Sequence, residues 1–98
     1  MTELRFDYSS LEGLVEVLSA KARVSIMMAL RDGPKSSTSL YEQLNHNGFP
    51  NMERSTFYYH LQKLRTHGLI KESGSISGAG KPEKIWTLSA DTLVISLR

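Results

Sequence analysis

The stretch RSTFYYHLQKLRTHGLIKE, residues 54 to 72, carries the fold of this chain. Phe57, Leu61, Leu64 and Leu69 recur at helical spacing, and Gly68 stands where a helix needs a left-handed terminating residue. The segment therefore predicts a helix that stops at a glycine and turns directly into a strand. On a wheel of about 100° per residue, Ser55, Thr56, Tyr59, Gln62, Lys63 and Thr66 fall opposite the leucines. A polar, basic face with one large aromatic suits the major groove of duplex DNA.

Upstream of this helix, Phe49, Pro50 and Asn51 read as a turn. Before the turn, Leu40, Tyr41 and Leu44 mark a short third helix, with capping residues between Lys35 and Ser39 and an end between Asn45 and Gly48. Two helices joined this way form a helix-turn-helix over about residues 38–67. Downstream, Leu69 to Lys71 and Ile85 to Leu88 read as strands, and the serine- and glycine-rich run Ser73 to Pro82 reads as the loop between them. A hairpin over about residues 69–88, placed directly after a recognition helix, is a wing.

The N-terminal third predicts two more helices. Leu11, Leu14, Val15 and Leu18 recur from Ser10 to Ser19, after the capping pair Ser9 and Ser10. A broadly apolar second helix runs from Ala20 to Arg31 and ends at Asp32-Gly33-Pro34. The segment Ser89 to Arg98 fits neither period. It reads either as a short helix capped by Ser89 or as a strand over Thr92 to Leu97 that pairs with Met1 to Tyr8 or with a second subunit.

Ninety-eight residues predict a single domain, 1–98, of mainly α class with a small β-hairpin, large enough for a core without crosslinks. The chain has no cysteine, which removes disulfides and thiolate metal ligands. No apolar run approaches the roughly 20 residues of a membrane span, and MTELRFDYSS lacks the pattern of a signal peptide. A cytoplasmic, membrane-free location is expected. The net charge of +2 is small but unevenly spread: residues 1–20 carry −3, residues 21–50 carry +2 and residues 51–84 carry +3. An acidic start and a basic body suggest separate tasks. No nucleophile elbow, phosphate-cradling glycine motif or carboxylate–histidine cluster is present, so an enzyme is not expected.

Leu18, Ser19, Arg23, Ile26, Met27 and Leu30 follow the pattern LSxxxRxxILxxL, the pair His60-Leu61 ends three residues before Leu64, and Gly68-Leu69 closes the helix. With KIWTLS after a glycine-rich loop, these features resemble winged helix-turn-helix transcription regulators of the ArsR-like group. The opening Ser55-Thr56-Phe57-Tyr58 is also similar to PadR-like regulators, which generally add a long C-terminal helical region. The resemblance covers about residues 11–89 and implies a winged helix-turn-helix fold and double-stranded DNA as partner. Metal-sensing relatives use cysteine ligands. Here the only candidates are His46, His60 and His67, and the last two lie about two helical turns apart. No metal or cofactor is expected, and no small-molecule effector is legible.

The expected DNA-binding residues follow from place on the fourth helix and wing. Arg54, at the end that enters the groove deepest, can make paired hydrogen bonds to guanine. Ser55, Thr56 and Tyr59 reach bases or phosphates, and Tyr58 rests its ring on the core while its hydroxyl reaches a phosphate. Lys63 faces the backbone. Lys81 and Lys84, either side of Pro82, reach the neighbouring minor groove. His60 reads as a helix-packing residue with one satisfied nitrogen, and Trp86 as core.

One recognition helix covers few base pairs, so a homodimer reading a palindrome is expected. The first helix offers Leu11, Leu14, Val15 and Leu18 as the interface, with Glu12 and Glu16 keeping it off DNA; the alternative is that these residues pack on their own chain. The function expected from the sequence is sequence-specific regulation of transcription. The alternative is a winged-helix protein-docking module using Phe49, Tyr58, Tyr59 and the exposed first helix.

Overall fold

The computed structural model describes residues 2–77 and 82–98. In chain order it forms β1 (Glu3–Phe6), α1 (Leu11–Leu18), α2 (Lys21–Ala29), a 3-10 turn (Leu30–Asp32), β2 (Lys35–Ser36), α3 (Ser37–His46), α4 (Arg54–Thr66), β3 (Ile70–Ser77), β4 (Pro82–Leu88) and β5 (Thr92–Ile95). The four helices anticipated from periodicity are present.

Both helices of the helix-turn-helix end in the same hydrogen-bonded device. At α4, the Gly68 N–H donates to Arg65 O (2.9 Å) and the Leu69 N–H to Leu64 O (3.0 Å), with Gly68 at φ 76°. At α3, the Phe49 N–H donates to Leu44 O (3.1 Å) past Gly48 at φ 108°. These are Schellman closures, in which a left-handed residue lets the chain reverse and satisfy the last carbonyls. The accompanying apolar contact is present: Leu64 and Leu69 are both buried. At the other end of α3, the Ser36 Oγ accepts from the Ser39 N–H (3.1 Å) as a regular N-cap. At α1 the expected cap does not form, because the Ser10 Oγ turns back to accept the Asp7 N–H (3.0 Å).

The core takes Leu14 and Val17 from α1, Ala22, Ile26 and Ala29 from α2, Leu40 and Leu44 from α3, and Phe57, Leu61 and Leu64 from α4. Leu30, Leu69, Ile70 and Trp86 close it. On α1 this corrects the apolar set read from the sequence. Val17 is fully buried, whereas Val15 is 60 % exposed.

β4 is the central strand of a three-stranded sheet ordered β2-β4-β3. It pairs antiparallel with β3 from Ile70↔Leu88 to Ser77↔Pro82, with a bulge at Ser73, and with β2 through Lys35↔Trp86 and Ser36↔Ile85. The hairpin strands are longer than expected. Ser73 to Ser77 and Pro82 belong to β3 and β4, not to a loop. A two-stranded ribbon wet on both faces needs no apolar alternation, so its serines and glycine gave no strand signal. The tail takes one of its two expected forms: β5 pairs in parallel with β1, Glu3↔Thr92 to Phe6↔Ile95. Leu4, Phe6 and Leu93 lean on the core from this sheet.

Gly68→Ala is expected to destabilise the fold by about 1–2 kcal/mol, the cost of a Cβ in the left-handed region, with native helical circular dichroism retained below a lowered melting midpoint. Ser37→Ala removes the acceptor of the buried Trp86 indole N–H (2.9 Å). Urea titration should show it less stable by about 1–3 kcal/mol.

Candidate nucleic-acid interface

The closure at Gly48 and Phe49 ends α3 and leads into α4, whose leucine-free side faces out. Arg54, Ser55, Thr56, Tyr58, Tyr59 and Gln62 are all exposed, Tyr58 by 48 % and Tyr59 by 55 %. Neither Tyr59 nor the first turn of the helix is covered by its own chain. The Glu53 side chain does not cap α4, so the N–H groups of that first turn point outward without a side-chain acceptor.

Arg54 is held rather than loose. Its guanidinium carbon stacks 4.5 Å over the Tyr41 ring. Tyr41 is itself fixed by donating its hydroxyl to Met52 O (2.6 Å) and by an edge contact with Phe57 at 5.3 Å. Tyr58 rests edge-on against Phe57 at 5.5 Å, which matches the expectation of a ring leaning on the core.

Two expected cations carry acidic partners instead of standing free. The Lys63 ammonium lies 3.2 Å from Glu16 of α1 and its side chain is 29 % exposed. Seven residues beyond Thr56, position 63 falls within about 20° of it on the wheel, at the edge of the outward side that meets Glu16 of α1. The Lys84 ammonium lies 3.2 Å from Glu72 across the hairpin, and Glu72 also meets Arg65 at 3.7 Å. Lys81 lies outside the described residues.

Sequence reasoning missed Glu83. Its carboxylate accepts the Thr38 N–H in the first turn of α3, so a residue of the wing completes a helix start in another element. Bonds from the Thr38 hydroxyl and backbone, and more weakly the positive charge of Arg54, hold its carboxyl below the usual range. No local pattern announces such a contact, because the partners are 45 residues apart. Between α3, α4 and β4 lies an open cleft of about 780 Å³ lined by Thr38, Ser55, Tyr58, Gln62, Glu83 and Lys84, among others.

On the inner side of α4, His60 is half-buried. Among the described residues its Nδ1 is buried without a partner, and it faces Arg23 of α2, which is 7 % exposed with Nε and Nη1 also unpartnered. Burial, then the Arg23 charge, lowers its basicity from the ordinary 6.5. On α1, Leu14 is 2 % exposed within this chain's core, which corrects its assignment to a subunit interface. Leu11 and Leu18 are half-buried.

A tri-helical helix-turn-helix unit followed by a β-hairpin whose central strand ties back to α3 is a winged helix-turn-helix. A family model described as a helix-turn-helix domain matches residues 18–73, and the chain belongs to that family. The family is one of helix-turn-helix domains and not of enzymes. HlyU from Vibrio cholerae N16961 superposes with a TM-score of 0.62 at 23% identity, over 84% of this chain and 77% of that one. A crystal structure of an ArsR family transcriptional regulator gives 0.61 at 19% identity, over 81% and 75%. A structure described as a transcriptional regulator of the MarR family from Enterococcus faecalis V583 gives 0.63 at 20% identity, over 82% and 66%. These likenesses establish the fold. No curated protein sequence matches significantly. Among the described residues, no helix is long and apolar enough to cross a membrane.

The His60 environment sets a pH dependence. The folded state holds its imidazole below the unfolded value of 6.5, so its contribution to stability is complete above that pH and lost as pH falls through the lowered value. Thermal midpoints should fall as pH is lowered from neutrality through 6.5. The His60→Leu variant should be flat over that interval.

Proposed function

We propose that the protein is a sequence-specific regulator of transcription that binds double-stranded DNA as a homodimer, with α4 in the major groove and the hairpin beside the neighbouring minor groove. The observation that carries this reading is the exposed, leucine-free side of α4, polar along its length and led by an arginine stacked in place. Arg54 is oriented before any ligand arrives, which lowers the entropy cost of a paired contact with guanine. Ser55 and Thr56 occupy the uncapped first turn, where side-chain hydroxyls and backbone N–H groups can serve one phosphate together. Tyr59 and Gln62 follow one turn along the same side. Tyr58 offers its hydroxyl to the sugar-phosphate backbone from the rim.

Lys63 and Lys84 act in this reading by exchange. Each sits in a partly exposed ion pair, a kind of contact that contributes between about zero and 1 kcal/mol. A phosphate can therefore replace the carboxylate at small cost, and the pair holds the lysine near its working position until then. Lys81, next to Pro82 in the wing, completes the set on sequence grounds. The dimer follows from the few base pairs one α4 can span. With Leu14 in the core, α1 offers a partner chiefly Val15.

Fluorescence anisotropy with a random duplex tests the reading. Binding should weaken as salt rises, and Lys63→Ala should reduce the slope of log K against log salt by about 0.9. With a duplex selected from a random pool, Arg54→Ala should lose about 1–3 kcal/mol and relax discrimination at one position. Binding that is absent or indifferent to salt would overturn the regulator reading in favour of a protein-docking surface around Tyr58 and Tyr59.

A further inference from the structure

β5 belongs to a two-stranded sheet, so one of its edges is open. Along a parallel ladder, alternate residues turn their N–H and C=O groups toward the neighbouring strand. Thr92 and Ser96 donate their N–H groups to Thr2 O (3.2 Å) and Phe6 O (2.8 Å), so the even-numbered residues of β5 serve β1. Leu93 and Ile95 turn theirs to the open side, and among the described residues no turn or loop backbone group occupies them.

Open edges are ordinarily guarded by charges, prolines or bulges. β1 carries such a guard on its outer face, where Arg5 and Glu3 pair at 3.1 Å. β5 has none. The run TLVISL, residues 92–97, is uncharged, and Ile95 and Leu97 are 49 % and 69 % exposed. The charges near it stand at opposite ends: Asp91 precedes the strand and Arg98 follows it. Antiparallel pairing with a second copy brings Asp91 of one chain toward Arg98 of the other, while parallel pairing would set like charges side by side.

We propose that two copies of this chain join by antiparallel pairing of β5 with β5, about a two-fold axis through Val94. The inference rests on the dimeric reading above and names the seam. The register follows from the open groups. Leu93 and Ile95 carry them within the strand, and only a two-fold through Val94 lets Leu93 of each copy exchange both bonds with Ile95 of the other. The product is a continuous sheet in the order β1-β5-β5-β1, with Ile95 and Leu97 withdrawn from water. Val94 meets its own copy in a non-hydrogen-bonded pair, where Cα atoms stand about 4.5 Å apart, within reach of a disulfide.

The absence of cysteine makes the test clean. Val94→Cys, oxidised in dilute solution without DNA, should give a disulfide-linked dimer on a non-reducing gel, and Val15→Cys on α1 should lag behind it. In sedimentation, Ile95→Lys should raise the dimer dissociation constant by about tenfold or more, with unchanged circular dichroism. Oxidation of Val94→Cys no faster than Val15→Cys, or an Ile95→Lys protein as dimeric as the parent, would overturn the proposal. A monomer that still binds duplex would strike the strand pairing and the dimer with it, and leave DNA binding standing. A crosslinked dimer that ignores duplex would support the pairing and strike only the regulator reading.

Discussion

The attachment of β4 to the start of α3 governs everything the molecule presents. Trp86 sends its indole N–H to the buried Ser37 hydroxyl, Glu83 takes the Thr38 N–H, and Lys35 and Ser36 pair with Trp86 and Ile85. An unpaired indole N–H in a core costs free energy comparable to a lost hydrogen bond, so Trp86 and Ser37 hold each other to one geometry. That geometry fixes the angle of the hairpin to the helix pair and hence the width of the cleft beside α4. Tyr41 extends the chain of contacts from α3 to Met52, Phe57 and Arg54. β4, α3 and the N-terminal turn of α4 are thus joined by one continuous chain of contacts.

The electrostatics of the face are more restrained than the charge of the chain suggests. Lys63 is neutralised by α1, Lys84 and Arg65 share Glu72, and Glu83 stands near Arg54. A surface of paired charges has a weak long-range field, because opposite charges a few ångströms apart cancel at a distance. Under the proposed function, specificity then comes from shape and from the placed Arg54 more than from attraction at long range. The acidic N-terminal segment contributes twice, once through Glu16 on Lys63 and once through the Asp7 turn that leads into α1.

At the α2–α4 contact, Arg23 and His60 face each other with buried nitrogens that have no partner among the described residues. A second positive charge beside a desolvated guanidinium is unfavourable, so the contact behind the recognition helix weakens on acidification. The position of α4 and its exposure to protons are physically linked through this one pair.

Much of the design was legible before any coordinates. The spacing of Phe57, Leu61 and Leu64 with Gly68 fixed α4 and its end, because helical period and a left-handed glycine are local properties of the backbone. The same logic gave α3, its Ser36 region cap and the Phe49 turn. The exposed side of α4 followed from the wheel, and Arg54, Ser55, Thr56, Tyr58 and Tyr59 all lie on it. What tertiary structure alone decided was pairing across distance. Glu83 on Thr38, Glu16 on Lys63 and Glu72 on Lys84 join residues whose neighbours in sequence say nothing of one another. Leu14 and Val15 are adjacent and equally apolar, yet one is core and the other exposed, because burial depends on which side α2 and α4 approach. The tail was equally undetermined: TLVI has no period long enough to choose, and β1 chose for it by offering an edge.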